Sequence, residues 1–229
     1  MTGSGKVTKG GAGLLTLSND NNTYAGGTEV KSGTIKITDG ALSTDSQASP
    51  LGAAGSQVTV DDGAALWLSR DRALEISQPI SGSGAILLES TSVVKLTGDN
   101  SGFSGTLTLS KGTLQIGEGG NLGTGSLQNN AELLITRSGS IVVSGAISGT
   151  GKLVLAGTVG SQVTLSSKSD FTGDTEVTTA TLKLSATASI SKSAVLRIQT
   201  GGMLDVTAFA NGYAIPAGQS LAGDGGKIA

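Results

Sequence analysis

The chain has 229 residues and a formal net charge of −2; 37 residues are glycine, 3 are proline, and histidine and cysteine are absent. Without histidine or cysteine, Ser–His–Asp and Cys–His catalysis and histidine metal sites are excluded. The scattered basic residues exclude a nucleic-acid-binding patch, glycine without a G-X-Y period excludes collagen, and no apolar run approaches the length of a membrane-spanning helix.

Short stretches of alternating apolar residues run along the whole chain and predict strands with one buried face. Examples are 58–60, 66–68, 107–109, 133–135 and 182–184. Glycine, serine, threonine, asparagine and aspartate separate these stretches, as expected for turns. We expect almost no helix. Residues 41–54 come nearest to a helical or loop insertion, which Pro50 would limit.

A long motif with an aromatic residue, a glycine and two strand-like segments occurs three times. Its copies span residues 19–37, 97–116 and 170–184. Tyr24, Phe103 and Phe171 hold the same slot. One aromatic residue in roughly 70 is too sparse for a stacking platform, so we interpret the three as an apolar plug at one recurring corner of the core.

Two further motifs punctuate the repeat. A joint motif reads Ile80–Gly84, returns as Ile147–Gly151 and Leu221–Gly225, and leaves a tail at residues 3–5. The joints begin at Gly3, Gly82, Gly149 and Gly223, so they predict repeats at about 3–81, 82–148 and 149–222 and the start of a fourth at 223–229. A segment of a longer repeat array is expected to show this spacing of joint motifs. A mid-cycle marker lies at 50–52, 121–123 and 189–191.

A long period with many short strands indicates a solenoid. A sandwich needs no internal period, and a propeller blade is typically about 40 to 50 residues long. A right-handed parallel β-helix fits better, with three coils to a repeat. At roughly 22 residues a coil and about 4.8 Å between strands, residues 1–229 make one elongated all-β domain about ten coils and about 5 nm long.

The segment Asn21–Ile37 resembles the autotransporter-associated β-strand repeat, also called the passenger-associated transport repeat, whose pattern is N-x-Y-x-G-x-T-x-[IV]-x-x-G-T-L-x-[VL]. Copy one has one extra glycine, and copy two carries Phe103 for tyrosine. In copy three Ala180 replaces the glycine before Thr181, and Asp170 replaces the asparagine.

This resemblance implies a right-handed parallel β-helix in the passenger of a type V secreted autotransporter of a Gram-negative bacterium, at the cell surface or secreted. It implies a C-terminal outer-membrane β-barrel in the full-length protein, absent from this sequence, and a display rod that supports export and folding and takes part in adhesion. The partners it implies are host-surface or cell–cell ligands or self-association, and no nucleic acid. The resemblance supplies no binding residue.

An enzyme is the alternative: a β-helix polysaccharide lyase or hydrolase that uses carboxylates. The candidates are Asp61, Asp62 and Asp71, with Arg70 and Arg72 nearby. We interpret Asp61-Asp62-Gly63 as a solvated turn instead.

Residues 20–22 and 98–100 carry aspartate and asparagine and could suggest calcium. Calcium takes six to eight oxygens, and neither segment has the spacing of a known calcium loop. We interpret both as asparagine and aspartate turns. The sequence therefore predicts no catalytic, cofactor-binding or metal-binding residue and no cofactor.

Overall fold

A computed structural model describes residues 1–19, 22–40 and 49–229. In these ranges the chain forms 24 β-strands and no helix, which confirms the all-β prediction. Most of the predicted insertion at 41–54 lies outside the described residues; residues 49–54 form turns.

The strands are short and follow one another at the spacing that the alternating pattern predicts. In chain order they are β1 Val7–Lys9, β2 Leu14–Leu17, β3 Thr28–Val30, β4 Gly33–Ile37, β5 Val58–Val60, β6 Ala64–Leu68, β7 Leu74–Ile76, β8 Ile80–Ser81, β9 Ala85–Leu88, β10 Val93–Leu96, β11 Thr106–Leu109, β12 Thr113–Ile116, β13 Leu127–Asn129, β14 Glu132–Ile135, β15 Ser140–Val143, β16 Ile147–Ser148, β17 Lys152–Leu155, β18 Gln162–Leu165, β19 Thr175–Val177, β20 Thr181–Leu184, β21 Val195–Gln199, β22 Met203–Asp205, β23 Ser220–Asp224 and β24 Lys227–Ile228.

The strands stack into four parallel sheets that form a β-solenoid of about ten coils. A four-stranded sheet (β1, β3, β5, β8) and a five-stranded sheet (β15, β18, β20, β22, β24) lie on what we call the first face, because both fall between the other two sheets in the chain cycle. The seven-stranded sheet (β2, β4, β6, β9, β11, β13, β16) forms the second face, and the eight-stranded sheet (β7, β10, β12, β14, β17, β19, β21, β23) forms the third.

Inward side chains stack in columns from coil to coil. One column on the second face is Ile35, Leu66, Ile86, Leu107, Leu127 and Ile147, paired in parallel register. Every member is at most 4% exposed. Burying each such side chain contributes about 1.5 to 3 kcal/mol, so the columns supply a continuous core that needs no disulfide. The step along the chain from Ile35 to Leu66 is the longest in this column.

The repeated Thr-Ile/Leu-x-Ile/Leu segments point inward, as the alternation predicts. Their apolar residues are all fully buried: Ile35, Ile37, Leu114, Ile116, Leu182 and Leu184. A repeat of three whole coils, as the sequence predicts, would place these residues at equivalent coil positions, and that prediction is wrong. Copy one places its segment in β4 on the second face, copy two in β12 on the third, and copy three in β20 on the first.

The repeat therefore turns by one face with each copy, because its length is three coils and one further strand. Three coils after Ile35, the column on the second face reaches Leu107. The residue that matches Ile35 in the repeat is Leu114, in the next strand along the chain. The joint motifs follow the same rule: β8 lies on the first face, β16 on the second and β23 on the third.

The aromatic residues obey this rotation too. Tyr24, Phe103 and Phe171 are buried plugs, between 0 and 3% exposed. They precede β3, β11 and β19, which lie on three different faces. The prediction of an apolar plug is confirmed, but its placement at one recurring corner is wrong for the same geometric reason.

The register can be tested at Leu114, which is fully buried, and at Lys111, which is exposed earlier in the same segment. Leu114→Asp places an unpaired carboxylate in the stacked core and should lower the free energy of unfolding by about 3 kcal/mol or more. Lys111→Asp should change it by less than about 0.5 kcal/mol. Thermal unfolding followed by circular dichroism makes the comparison; equal melting temperatures for the two variants would contradict the register.

Candidate functional site

The three motifs of one repeat lie on consecutive coils and stack on one another. In copy two the backbone N–H of Ser104 donates to the carbonyl of Gly82 in the joint motif (2.9 Å), and the N–H of Thr124 donates to that of Phe103 (2.8 Å). The joint, the aromatic motif and the mid-cycle marker thus form one column, which we call the motif column.

Copies one and three build the same column. In copy one, Ala25 N–H donates to Gly3 (2.8 Å), and Ala53 N–H donates to Tyr24 (3.0 Å). In copy three, the N–H of Thr172 donates to the carbonyl of Gly149 (2.9 Å). The buried marker residues at the ends of the columns are Leu51, Leu122 and Ile190. Three sequence signals that lie on successive coils are therefore one structural unit.

A buried polar side chain joins the three layers of each column. Asn100 is 3% exposed; its Oδ1 accepts from the N–H of Ile80 (2.8 Å), and its Nδ2 donates to the carbonyl of Asn121 (2.9 Å). Asn22 is bonded alike, with Oδ1 accepting from the amino group of Met1 (2.6 Å) and Nδ2 donating to the carbonyl of Pro50 (2.8 Å). Each asparagine satisfies backbone groups on the coils before and after its own, which a buried polar side chain must do to be tolerated.

In copy three, Ser169 takes this role. Its Oγ accepts from the N–H of Ile147 (3.0 Å), and its backbone N–H donates to the carbonyl of Ser189 (2.8 Å). The prediction that Asp170 stands in the asparagine position is wrong. Asp170 is exposed, and its Oδ2 lies 3.6 Å from Nζ of Lys192, because a charged carboxylate without compensating donors is too costly to bury.

One glycine in each aromatic motif is required by close backbone approach. A β-carbon at Gly105 would overlap the carbonyl oxygen of Gly84, the second glycine of the joint. In the same way, a β-carbon at Gly26 would overlap the carbonyl oxygen of Gly5, and a β-carbon at Gly173 would overlap that of Gly151. The backbone of Gly105 lies outside the left-handed region, so the requirement is space between coils and not an unusual φ.

The charged residues proposed for catalysis do not converge. Arg70 is fully buried, and its Nε donates to Oδ1 of Asp39 (2.9 Å). Oδ2 of Asp39 accepts from the backbone N–H of Asp71 (2.7 Å). Asp71 itself is exposed, and its Oδ1 accepts from the hydroxyl of Thr91 (2.8 Å). The arrangement ties Asp39 to the following coil at the end of β6, and it keeps the Arg70 side chain away from solvent.

Asp61 and Asp62 lie at the opposite end of β6, in the turn between β5 and β6. The backbone N–H of Ala64 donates to the carbonyl of Asp61 (3.0 Å), which closes this turn. The predicted solvated turn is therefore present. Arg72 is exposed and lies at the same end of β6 as Asp71.

Of the calcium candidates, Asp20 and Asn21 lie outside the described residues, and Asn22 and Asn100 are committed to the motif columns. Asp99 forms a turn, as predicted, with Oδ1 accepting from the N–H of Ser101 (3.0 Å). Within ranges 1–19, 22–40 and 49–229, no three acidic side chains come together in a group that could hold a metal ion.

A second charged cluster, which the sequence did not indicate, lies beside copy two. The N–H of Ser101 and the amide of Asn121 (2.6 Å) both donate to Asp99 and hold the pKa of this carboxyl below its usual value. The backbone N–H and the hydroxyl of Ser138 lower the pKa of Glu118 in the same way. The charge of Arg137 adds a smaller effect in the same direction on both carboxyls. Asp99 and Asn121 belong to separate sequence motifs, and the sequence could not indicate the cluster because its residues come from three coils.

None of the described segments forms a helix long and apolar enough to cross a membrane.

Comparison with known proteins finds one repeat family and two bacterial relatives. Residues 7–37 and 91–116 match the passenger-associated-transport-repeat family. The chain is 35% identical over 177 residues to the adhesin BmaC autotransporter of Brucella suis biovar 1 (strain 1330), a match that covers 67% of this chain and 5% of that protein. It is 36% identical over 85 residues to the uncharacterized lipoprotein YdeK of Escherichia coli (strain K12), covering 37% of this chain and 6% of that protein. No solved structure matches the chain at a significant level.

The glycine contact between coils predicts a local stability effect. Gly105→Ala should lower the free energy of unfolding by about 1 to 3 kcal/mol, because the β-carbon forces two backbones apart. Gly10→Ala is the matched control, since a β-carbon there meets no neighbouring atom and φ is not in the left-handed region. Gly10→Ala should be neutral or slightly stabilising. Urea unfolding of both variants tests this, and a neutral Gly105→Ala would contradict the contact.

The pKa of Asp99 predicts how stability depends on pH. Because the folded pKa lies below the ordinary value, this carboxylate stabilises the fold above about pH 4, and the contribution is lost as the pH falls through the folded pKa. Asp99→Asn should therefore be less stable than the parent chain near neutral pH, with a difference that shrinks in acid. Urea midpoints measured between about pH 7 and pH 2.5 would disprove the assignment if the difference stayed constant.

Proposed function

We propose that this chain, a passenger-associated-transport-repeat region of a bacterial autotransporter passenger that is surface-exposed or secreted, acts as a display rod without enzymatic activity. The rod supports export and folding of the passenger and takes part in adhesion. The observation that carries the proposal is the parallel stack of coils, in which each repeat commits its motif residues to joining its own coils.

The stack suits a role in folding during export. Each strand pairs with a strand about one coil away in the chain, so contacts form locally as the chain emerges. Topologies with short sequence separations form quickly, and solenoids gain stability one repeat at a time. The motif column makes packing depend on the order of the coils, because the buried side chains of Asn22 and Asn100 are fully hydrogen-bonded only when three successive coils are in place.

The surface suits a rod that stays soluble and outside the cell. Outward rows carry opposite charges in neighbouring coils, such as Lys95 with Glu75 (3.2 Å) and Lys183 with Asp205 (3.0 Å). Such exposed pairs add little stability, but charges of both signs on the outward face of a sheet discourage association between rods. The similarity of the chain to a protein named as an adhesin supports adhesion as the role of the displayed rod. A C-terminal outer-membrane β-barrel in the full-length protein is part of the same proposal.

The proposal is tested in bacteria that display the complete passenger. Removing residues 82–148 should reduce attachment to host cells or between bacteria, while antibody labelling of intact cells reports how much passenger reaches the surface. Leu114→Asp should lower surface labelling and Lys111→Asp should leave it unchanged, because only the first disrupts the stack. Unchanged attachment and unchanged labelling after the deletion would reject a role in either process.

The absence of enzymatic activity is tested separately. We expect no cleavage of uronate or neutral glycans by the purified chain, with or without Ca²⁺. Arg70→Ala should lower the melting temperature, because it removes the buried cation of the ion pair with Asp39, whereas Asp71→Asn should barely change it. Turnover that is abolished by Asp71→Asn would overturn the proposal.

A further inference from the structure

The first face of the solenoid is interrupted beside copy two. The four-stranded sheet ends at β8 and the five-stranded sheet begins at β15. Between residues 82 and 139, two coils cross this face without forming a strand there. The first of these coils makes an isolated bridge from Phe103 to Gly82, and the second carries the buried Leu122. The interruption leaves a recess of about 260 Å³, which we call the copy-two groove.

Polar side chains of neutral character line most of the groove. Its walls carry Ser101, Thr124 and Ser140, which are exposed, and Asn121, which is partly exposed. Val142 supplies an apolar surface and is 57% exposed. An open groove whose lining is divided between hydrogen-bonding groups and the apolar side chains of Ile141 and Val142 matches a ligand whose own surface alternates hydroxyl and C–H groups.

The polar groups of the groove are held in place before any ligand binds. Asn121 donates from Nδ2 to Asp99 (2.6 Å), and its Oδ1 accepts from the N–H of Gly123 (3.0 Å). The guanidinium of Arg137 donates to the carbonyls of Gly120 and Ser138. Fixed donors and acceptors lose less conformational entropy on binding than mobile ones, so the groove is suited to a small polar ligand.

The charge balance argues against an anionic ligand. Arg137 lines the groove, and the carboxylates of Asp99 and Glu118 lie within its electrostatic reach. Both carboxylates are stabilised in their charged form by hydrogen bonds, so the cluster as a whole is negative near neutral pH. A negatively charged sugar would gain from one cation and lose to two anions.

We propose that the copy-two groove binds a neutral glycan, with Arg137, Asn121 and the wall hydroxyls bonding its hydroxyl groups and Val142 packing on its C–H surface. The assignment rests on the proposed adhesive role and names the ligand class for it. Nothing in the repeat requires Arg137 or Val142: the joint, the aromatic motif and the marker are complete without them. The groove is a feature of this repeat and not of the array.

The test uses the full chain and defined oligosaccharides. Maltotriose, N-acetyllactosamine and mannotriose serve as neutral probes, with 3′-sialyllactose and trigalacturonate as acidic comparators. At least one neutral probe should bind and shift the NMR signals of Ser101, Thr124 and Val142, and the acidic probes should bind more weakly. Signals that do not move with any neutral probe, or a preference for the acidic ones, would overturn the proposal.

Two variants and a matched control locate the binding. Val142→Asp adds a charge to the groove, and Thr124→Trp fills it, so each should weaken binding of the neutral probe at least about tenfold, equivalent to about 1.4 kcal/mol. Thr164→Asp makes the same kind of change at the residue paired with Val142 one coil further on and should alter binding less than about twofold. The melting temperature of each variant shows whether it is folded. If Val142→Asp does not fold, the affinity of Thr124→Trp for the neutral probe tests the proposal.

The outcome also separates this proposal from the adhesive role. If bacteria displaying the Val142→Asp passenger attach normally and the purified chain binds no neutral probe, the groove assignment fails and the display rod stands. If attachment and probe binding fall together in Val142→Asp and not in Thr164→Asp, the groove carries the adhesion.

Discussion

Everything in this molecule depends on each coil lying directly on the one before it, at the spacing of hydrogen-bonded parallel strands. That spacing leaves no room for a β-carbon where Gly105 passes over Gly84, so the position is glycine. It also buries polar groups at the coil corners, and Asn100 satisfies them by bonding both neighbouring coils. The hydrophobic columns supply the free energy, while glycines and buried polar side chains decide which coil lies on which.

Two signals in the sequence were sufficient to predict the fold class. Alternation at positions such as Leu66-Trp67-Leu68 assigns strands and their buried side, and a long repeat requires a solenoid. The rotation of the repeat could not be predicted, since spacing along the chain does not say how many residues complete a coil. The coil from Ile35 to Leu66 is longer than the coils that follow it on the same face. Leu114 matches Ile35 in the repeated sequence, and only the strand pairing shows that it lies one strand further along the coil.

The candidate site was less predictable, because its contacts join residues from different coils. Asp71 and Arg70 stood out as neighbours in sequence, yet Arg70 turns inward to Asp39 on the preceding coil. Of the groove residues, Ser101 belongs to the aromatic motif, whereas Thr124 and Arg137 lie outside every motif. The three lie together where the first face is interrupted. The motif columns were visible as three separate signals, and the hydrogen bonds of Asn100 show that they belong to one unit.

The rotation of the repeat by one face with each copy is the central claim, and paired cysteines test it directly in a chain that has none of its own. Leu87 and Thr108 are outward neighbours on the second face, so Leu87→Cys with Thr108→Cys should be joined by a short thiol cross-linker. Gln115 matches Lys36 in the repeat but lies on the third face, so Leu87→Cys with Gln115→Cys should not be joined. Cross-linking of the second pair in place of the first would show that the repeat completes whole coils and would contradict the account.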